Sequence, residues 1–200
     1  MIPEQRLSDL AYTGQLLNPW TNRTDLSQHW GPVALQDPSQ GLLVRLWQAR
    51  AVGANILLSA PGVDEFVHLT HSEDVLEVSL AFNQNGDAHL AFVDSSGDAW
   101  LRWYDSTIPG MTTTQLDADT VNPRVTLDDA RQFNVSASDV ILGYVRDGIL
   151  RYRRQRDRFA DEFTPPHGEG GPSASAGGLH HMSMNSQLRV EFITDDAAPS

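Results

Sequence analysis

The sequence predicts an all-β fold: two or three propeller-like antiparallel meander sheets, forming a partial ring or a β-sandwich-like stack. An extended N-terminal arm precedes them, and a C-terminal strand follows a flexible linker. Three observations predict this. Short runs alternate between apolar and polar or small residues, the period-2 pattern of half-buried strands. Gly86–Asp87, Asp147–Gly148 and the SSGD of Ser95–Asp98 punctuate these runs at hairpin spacing. The same unit also recurs along the chain, as in repeat architectures.

Taken in order, residues 1–31 contain QLLNPWTNRTDLSQHW, with Trp20 and Trp30 but no clean periodicity. They read as an arm anchored by its aromatics. Residues 32–163 form the repeated domain. Its first copy runs through Pro32–Gly41 (strand and turn), Leu42–Ala49, Ala54–Pro61 and Asp64–Thr70. A helix over Gly41–Val52, capped by Gly53, is the competing reading of that stretch. The second copy, Val78–Leu116, begins VSLAFNQNGDAHLAFVDSSGDAWLRWYD and gives three short strands. The third, Arg124–Phe163, runs RVTLDDA, the connection RQFNVSAS, DVILGYV, the turn at Asp147–Gly148, ILRYRRQ and DRFADEF. Aligning these two sets Phe92 against Tyr144, Leu101 against Leu150, Arg102 against Arg151 and Trp103 against Tyr152.

Residues 164–187 open TPPHGEGGPSASAGG and read as a flexible linker. Residues 188–200 hold one more strand, LRVEFIT, and the acidic tail DDAAPS. That strand can pair with its own sheet or with a neighbour's. A propeller takes ~4–8 blades, so two or three leave the ring incomplete and its strand edges in need of cover.

Composition narrows the function. Five tryptophans and 40% hydrophobic residues argue for a packed core. The formal charge of -12, from 14 basic and 26 acidic residues, opposes nucleic acid as a partner. Every basic residue is arginine, whose planar fork suits carboxylate pairing and aromatic stacking. There is no cysteine, which removes disulfides, thiolate nucleophiles and cysteine–zinc sites. The start, MIPEQRLSDLAYTG, lacks the basic segment and apolar run of a signal peptide. Apolar stretches fall short of the ~20 residues that a bilayer helix needs, so no membrane insertion is expected.

The search for chemistry yields no catalytic residues, no metal ligands and no cofactor. His68 and His71 lie beside Glu73 and Asp74 and form the nearest approach to a metal cluster, but they read as a wet loop between sheets. His89 sits in an alternating strand, as a solvent-facing residue would. His180 and His181 are adjacent, so a strand would point them apart. The acidic pairs Asp117/Asp119, Asp128/Asp129 and Asp157/Asp161 read as solvated loop carboxylates. No GxSxG elbow and no phosphate-binding glycine loop is present.

The densest feature is ILRYRRQRDRF, part of a run with six arginines from Arg146 to Arg158. Alternation puts Ile149, Arg151, Arg153, Gln155 and Asp157 on one face, and Leu150, Tyr152, Arg154, Arg156 and Arg158 on the other. Neither face stays apolar, so the second half must leave the core or bulge. Asp147, Asp157, Asp161 and Glu162 are the local carboxylates that answer the charge. Arginine and aromatics enrich interface cores. This assigns Arg151, Tyr152, Arg153, Arg154, Arg156, Arg158 and Phe159, with Trp20, Trp30 and Trp103, to a protein–protein contact.

The pattern DDAR…DVILGYVRDGILRYRRQRDRFADEF resembles a blade repeated in structural proteins of tailed bacteriophage tails and baseplates. The resemblance covers roughly Leu76–Phe163 and is best over Asp128–Phe163. It implies a virion subunit, assembled in the host cytoplasm into a symmetric homo-oligomer with other virion proteins, and no catalytic residues. The alternative is a glycan- or receptor-binding module of the virion that meets a host-surface glycan. In that case Trp100 and Trp103 would line an exposed groove. A third reading is a sialidase-like glycoside hydrolase, because VDSSGDAW resembles the aspartate-box turn of those enzymes. Arg102 and Arg151 would then face a substrate carboxylate.

Overall fold

The computed structural model describes residues 27–37, 41–83, 85–105, 107–108, 110–128, 139–165, 176–184 and 190–196. Their regular structure is all-β, apart from a 3₁₀ turn at Gln155–Asp157. Sheet A is β1 (Gln28–Asp37), β2 (Gly41–Val52), β3 (Asn55–Ala60) and β4 (Val63–Thr70), hydrogen-bonded in that order. Sheet B repeats the plan with β5 (Val75–Phe82), β6 (Ala88–Asp94), β7 (Ala99–Tyr104) and β8 (Met111–Gln115). Sheet C has β9 (Val121–Asp128), β10 (Asp139–Arg146) and β11 (Ile149–Arg154). An antiparallel bridge from Tyr152 to Phe163 adds the start of a fourth rung to sheet C. Sheet D is the hairpin of β12 (Ala176–Met184) and β13 (Val190–Asp196).

All pairings are antiparallel, and the turns at Gly86–Asp87, Ser95–Asp98 and Asp147–Gly148 lie where the glycines predicted. Asp147 and Gly148 both take positive φ (53° and 68°), as a two-residue hairpin that follows strand twist requires. In sheet B the loop is longer: Gly97, at φ 85°, closes it and donates its N–H to the Asp94 carbonyl at 3.0 Å. Gly53, at φ 55°, turns β2 into β3. The helix over Gly41–Val52 is therefore overturned. That stretch is a strand paired with β1 on one side and β3 on the other, and a full ladder on its second half outweighs helix propensity.

The sheets pack face to face in chain order. Between A and B lie Ala49, Ile56 and Leu58 against Val78, Leu80, Leu90 and Phe92. Between B and C lie Ala91, Leu101 and Trp103 against Val125, Val140, Leu142 and Tyr144. Val145, Leu150 and Phe192 join C to D. Sheet B thus buries both faces. Leu90 and Phe92 point one way and Ala91 the other, which explains why β6 is buried almost throughout. Polar links cross the B–C seam as well: Val125 N donates to Ser79 Oγ at 3.0 Å, and Arg124 reaches Glu77 at 3.2 Å.

A regular step relates the sheets. The first strand of each runs beside the first strand of the next: β1 beside β5, β5 beside β9, and β9 beside β12. The arrangement is propeller-like and unclosed.

Two expectations need correction. The linker over residues 164–187 contains a strand, because Ala176–Met184 pairs with β13. AGGLHHMSM has no strand pattern of its own and is extended by its partner. The alignment of the two hairpins also shifts. Phe92 pairs with Trp100 while Tyr144 pairs with Arg151, so Trp100, not Arg102, takes the place of Arg151. The longer sheet B loop accounts for the two-residue slip. The arm over 1–31 overlaps β1 from Gln28 onward; Trp20 lies outside the described residues.

Candidate functional site

The arginine run is an ion-pair lattice within the chain. β11 ends at Arg154, and the 3₁₀ turn follows, so the strand does break where its apolar face ends. Arg151 and Arg153 project toward Tyr144 and Glu162. Glu162 accepts from the Tyr144 hydroxyl, from Arg151 and from Arg146 (2.8 Å). Arg153 donates through Nε to the Tyr144 oxygen at 2.8 Å and also binds Asp117, which Arg146 shares. On the opposite face Tyr152 stacks on Phe163, ring centroids 5.3 Å apart. Arg154 lies over that Phe163 ring at 4.1 Å and is held by Asp157 at 2.6 Å.

The last two arginines are pinned from below. Arg156 grips the buried Asp139 through both its backbone N–H (2.9 Å) and Nε. Arg158 grips the buried Asp105 through Nε at 3.1 Å and its terminal nitrogen. Their side chains nonetheless stay 52% and 57% exposed, so guanidinium edges held in fixed orientation face outward. Of the four local carboxylates expected to answer the arginines, Asp157 and Glu162 do so. Asp105, Asp117 and Asp139 come from other parts of the chain.

Burial pushes the Glu162 carboxyl up, but the hydrogen bonds from Tyr144 and Arg151 and the charges of Arg146 and Arg151 outweigh it. They hold Glu162 below the usual carboxylate range. Burial, reinforced by the bond to Glu162, pushes the Tyr144 phenol well above its ordinary value.

The second polar centre was not foreseen. The Asp94 carboxylate, 2% exposed, clasps the β6–β7 loop. Oδ1 accepts the N–H groups of Ser96 (3.0 Å) and Asp98 (3.1 Å), and Oδ2 accepts Trp100 Nε1 at 2.7 Å. His71 Nε2 lies 3.1 Å from Oδ2, and its ring sits edge-on to Trp100 and Phe92. Burial raises the acid's pKa, but these donors more than offset it and hold Asp94 below the usual range. His71 is therefore a buried strut between sheets A and B, not part of a wet loop. The sequence signal was VDSSGDAW, an aspartate two residues before a backbone N–H and six before an indole.

The remaining predicted residues scatter. Trp103 and Phe159, expected at an intersubunit contact, pack edge-on at 5.2 Å inside the core between sheets B and C. Trp30 lies in β1 opposite Gln48. His89 is fully buried rather than solvent-facing, its Nδ1 3.0 Å from the Asp87 carbonyl and its Nε2 without a partner among the described residues. Burial lowers its pKa to about 4. Arg102 bonds Thr113 at 3.0 Å on sheet B, whereas Arg151 serves Glu162 on sheet C. Among the described residues no group of three or more His, Asp or Glu is placed to hold a metal ion, and no helix is long and apolar enough to cross a membrane.

No protein-family model matches the sequence, and no curated protein sequence matches it.

Proposed function

We propose that the chain is a structural subunit of a tailed bacteriophage particle, in the tail, tail tip or baseplate, acting through protein–protein assembly. The observation that carries this reading is the unclosed run of sheets. Sheets B and C are covered on both faces, while A and D each end the series with a face and strand edges that the described chain does not cover. Such ends call for neighbours. The pinned guanidinium edges of Arg156 and Arg158 add oriented donors that lose little entropy on docking. The placement in a virion rests on the resemblance of Asp128–Phe163 to phage blade repeats.

The glycan-binding alternative is weaker, because it needs Trp100 and Trp103 free to line a groove. Trp103 is buried, and the Trp100 indole is spent on Asp94. The sialidase-like reading needs Arg102 and Arg151 to converge, and each is committed on its own sheet.

Immunogold microscopy of purified tailed particles from the encoding genome tests the proposal. Label at one fixed place on the tail is expected. Particles free of the chain, with all of it in the soluble fraction, would overturn the virion role.

A further inference from the structure

The step between sheets has a direction, so the two ends of the chain differ. Each sheet presents its leading face to the first strand of the next: β2 also touches β5, β6 touches β9, and β10 touches β12. Sheet D occupies the fourth position of this series, and nothing in the described chain occupies the fifth. At the other end, no described element gives the outer face of sheet A the cover that every later sheet receives from its predecessor.

That outer face has the makings of a contact. Arg50, Leu57 and Val67 form one row across β2, β3 and β4. Val67 is 55% exposed, Val52 at the end of β2 is 43% exposed, and Leu57 is half-buried with its inward neighbours Ile56 and Leu58 sealed against sheet B. The ion pair of Arg50 with Glu65, at 2.7 Å, edges the apolar centre. An apolar centre with a polar rim is how interfaces are built. In β13, Phe192 faces sheet C, and its chain neighbour Ile193 lies opposite His181 of β12.

We infer that the β12–β13 hairpin of one copy packs on the outer face of sheet A of a second copy, head to tail. This contact continues the A-to-B, B-to-C and C-to-D packing across the molecular boundary. It rests on the assembly role proposed above and gives that role its first partner. The geometry is heterologous, the kind that closes into a ring when the rotation per copy allows. Two copies bring eight sheets in sequence, four from each chain. That number lies within the ~4–8 blades of a closed propeller.

The absence of native cysteine makes the test direct. Two differently tagged full-length copies, one Val67→Cys and the other Ile193→Cys, are mixed and treated with a short bismaleimide. Cross-links between the two tags are expected, and neither variant alone should link to itself. Links between two Val67→Cys copies alone, or none, would overturn the head-to-tail contact. In sedimentation, Val67→Arg should weaken self-association by about tenfold or more, since it buries an unpaired charge in the contact. Leu76→Arg, on an equally exposed residue of β5, should leave it unchanged, and both variants should keep the wild-type circular dichroism. A wild-type chain that stays monomeric yet is found in particles would overturn this contact while leaving the virion role intact.

Discussion

The β6–β7 and β10–β11 hairpins are two versions of one sequence unit, and they are held by opposite means. In sheet B a single buried carboxylate, Asp94, gathers two backbone N–H groups, an indole and an imidazole. In sheet C the turn is two residues long and makes no such clasp; its outer strand is tied down by guanidinium groups bound to Glu162, Asp117 and Asp157. The first device is dry and depends on hydrogen bonds. The second is partly wet and depends on charge. A repeat therefore conserves strand order and turn position, while the polar fastening of each copy is free to follow its surroundings.

The sharpest way to break the comparison is Asp94→Ala. It removes a buried acceptor and breaks four part-buried hydrogen bonds at once, and we expect a loss of about 3–5 kcal/mol in urea unfolding. Acid probes the other face of β6 through His89, which lies against Phe159 on the side of sheet C. An unfolded imidazole titrates near 6.5, but the folded His89 resists protonation until about 4. Between those values the unfolded chain binds the extra proton. Stability then falls as pH drops through that window, by up to about 3 kcal/mol from this group, and is unaffected by it above the window. Unfolding midpoints at neutral and mildly acid pH should show this slope, and His89→Leu should flatten it. In sheet C, Glu162→Gln should cost about 1–3 kcal/mol. The cost should shrink in molar salt, whereas the Asp94→Ala cost should not, because screening reaches only the partly exposed network. The smallest effect belongs to Arg154→Ala, about 0.5–1 kcal/mol from its place over Phe163 and its pairing with Asp157. Equal salt sensitivity in the two sheets would erase the distinction.

What was legible in the sequence was local. The strands of sheet A, the Asp147–Gly148 turn and the break after Arg154 follow from alternation and turn chemistry within a few residues. What was not legible depends on partners far away. AGGLHHMSM becomes a strand only because β13 lies beside it. Alternation alone turns His89 to solvent, because it normally leaves one face wet, whereas β6 lies between two other sheets. Asp105, Asp117 and Asp139 could not be singled out among 26 acidic residues as the ones that meet arginines. Trp103 and Phe159 carried the composition of an interface, but that interface lies between sheets B and C of the same chain.

Each sheet is a contiguous meander, and this bears on synthesis. Pairing within a sheet needs only residues made shortly before, so sheets A, B and C are able to form one after another as the nascent chain clears the ribosome. Glu162 emerges after the arginines it binds, so the ion pairs of the third sheet are complete only once it has been made. The β12–β13 hairpin is translated after sheets A, B and C, when they already offer a finished surface to other chains.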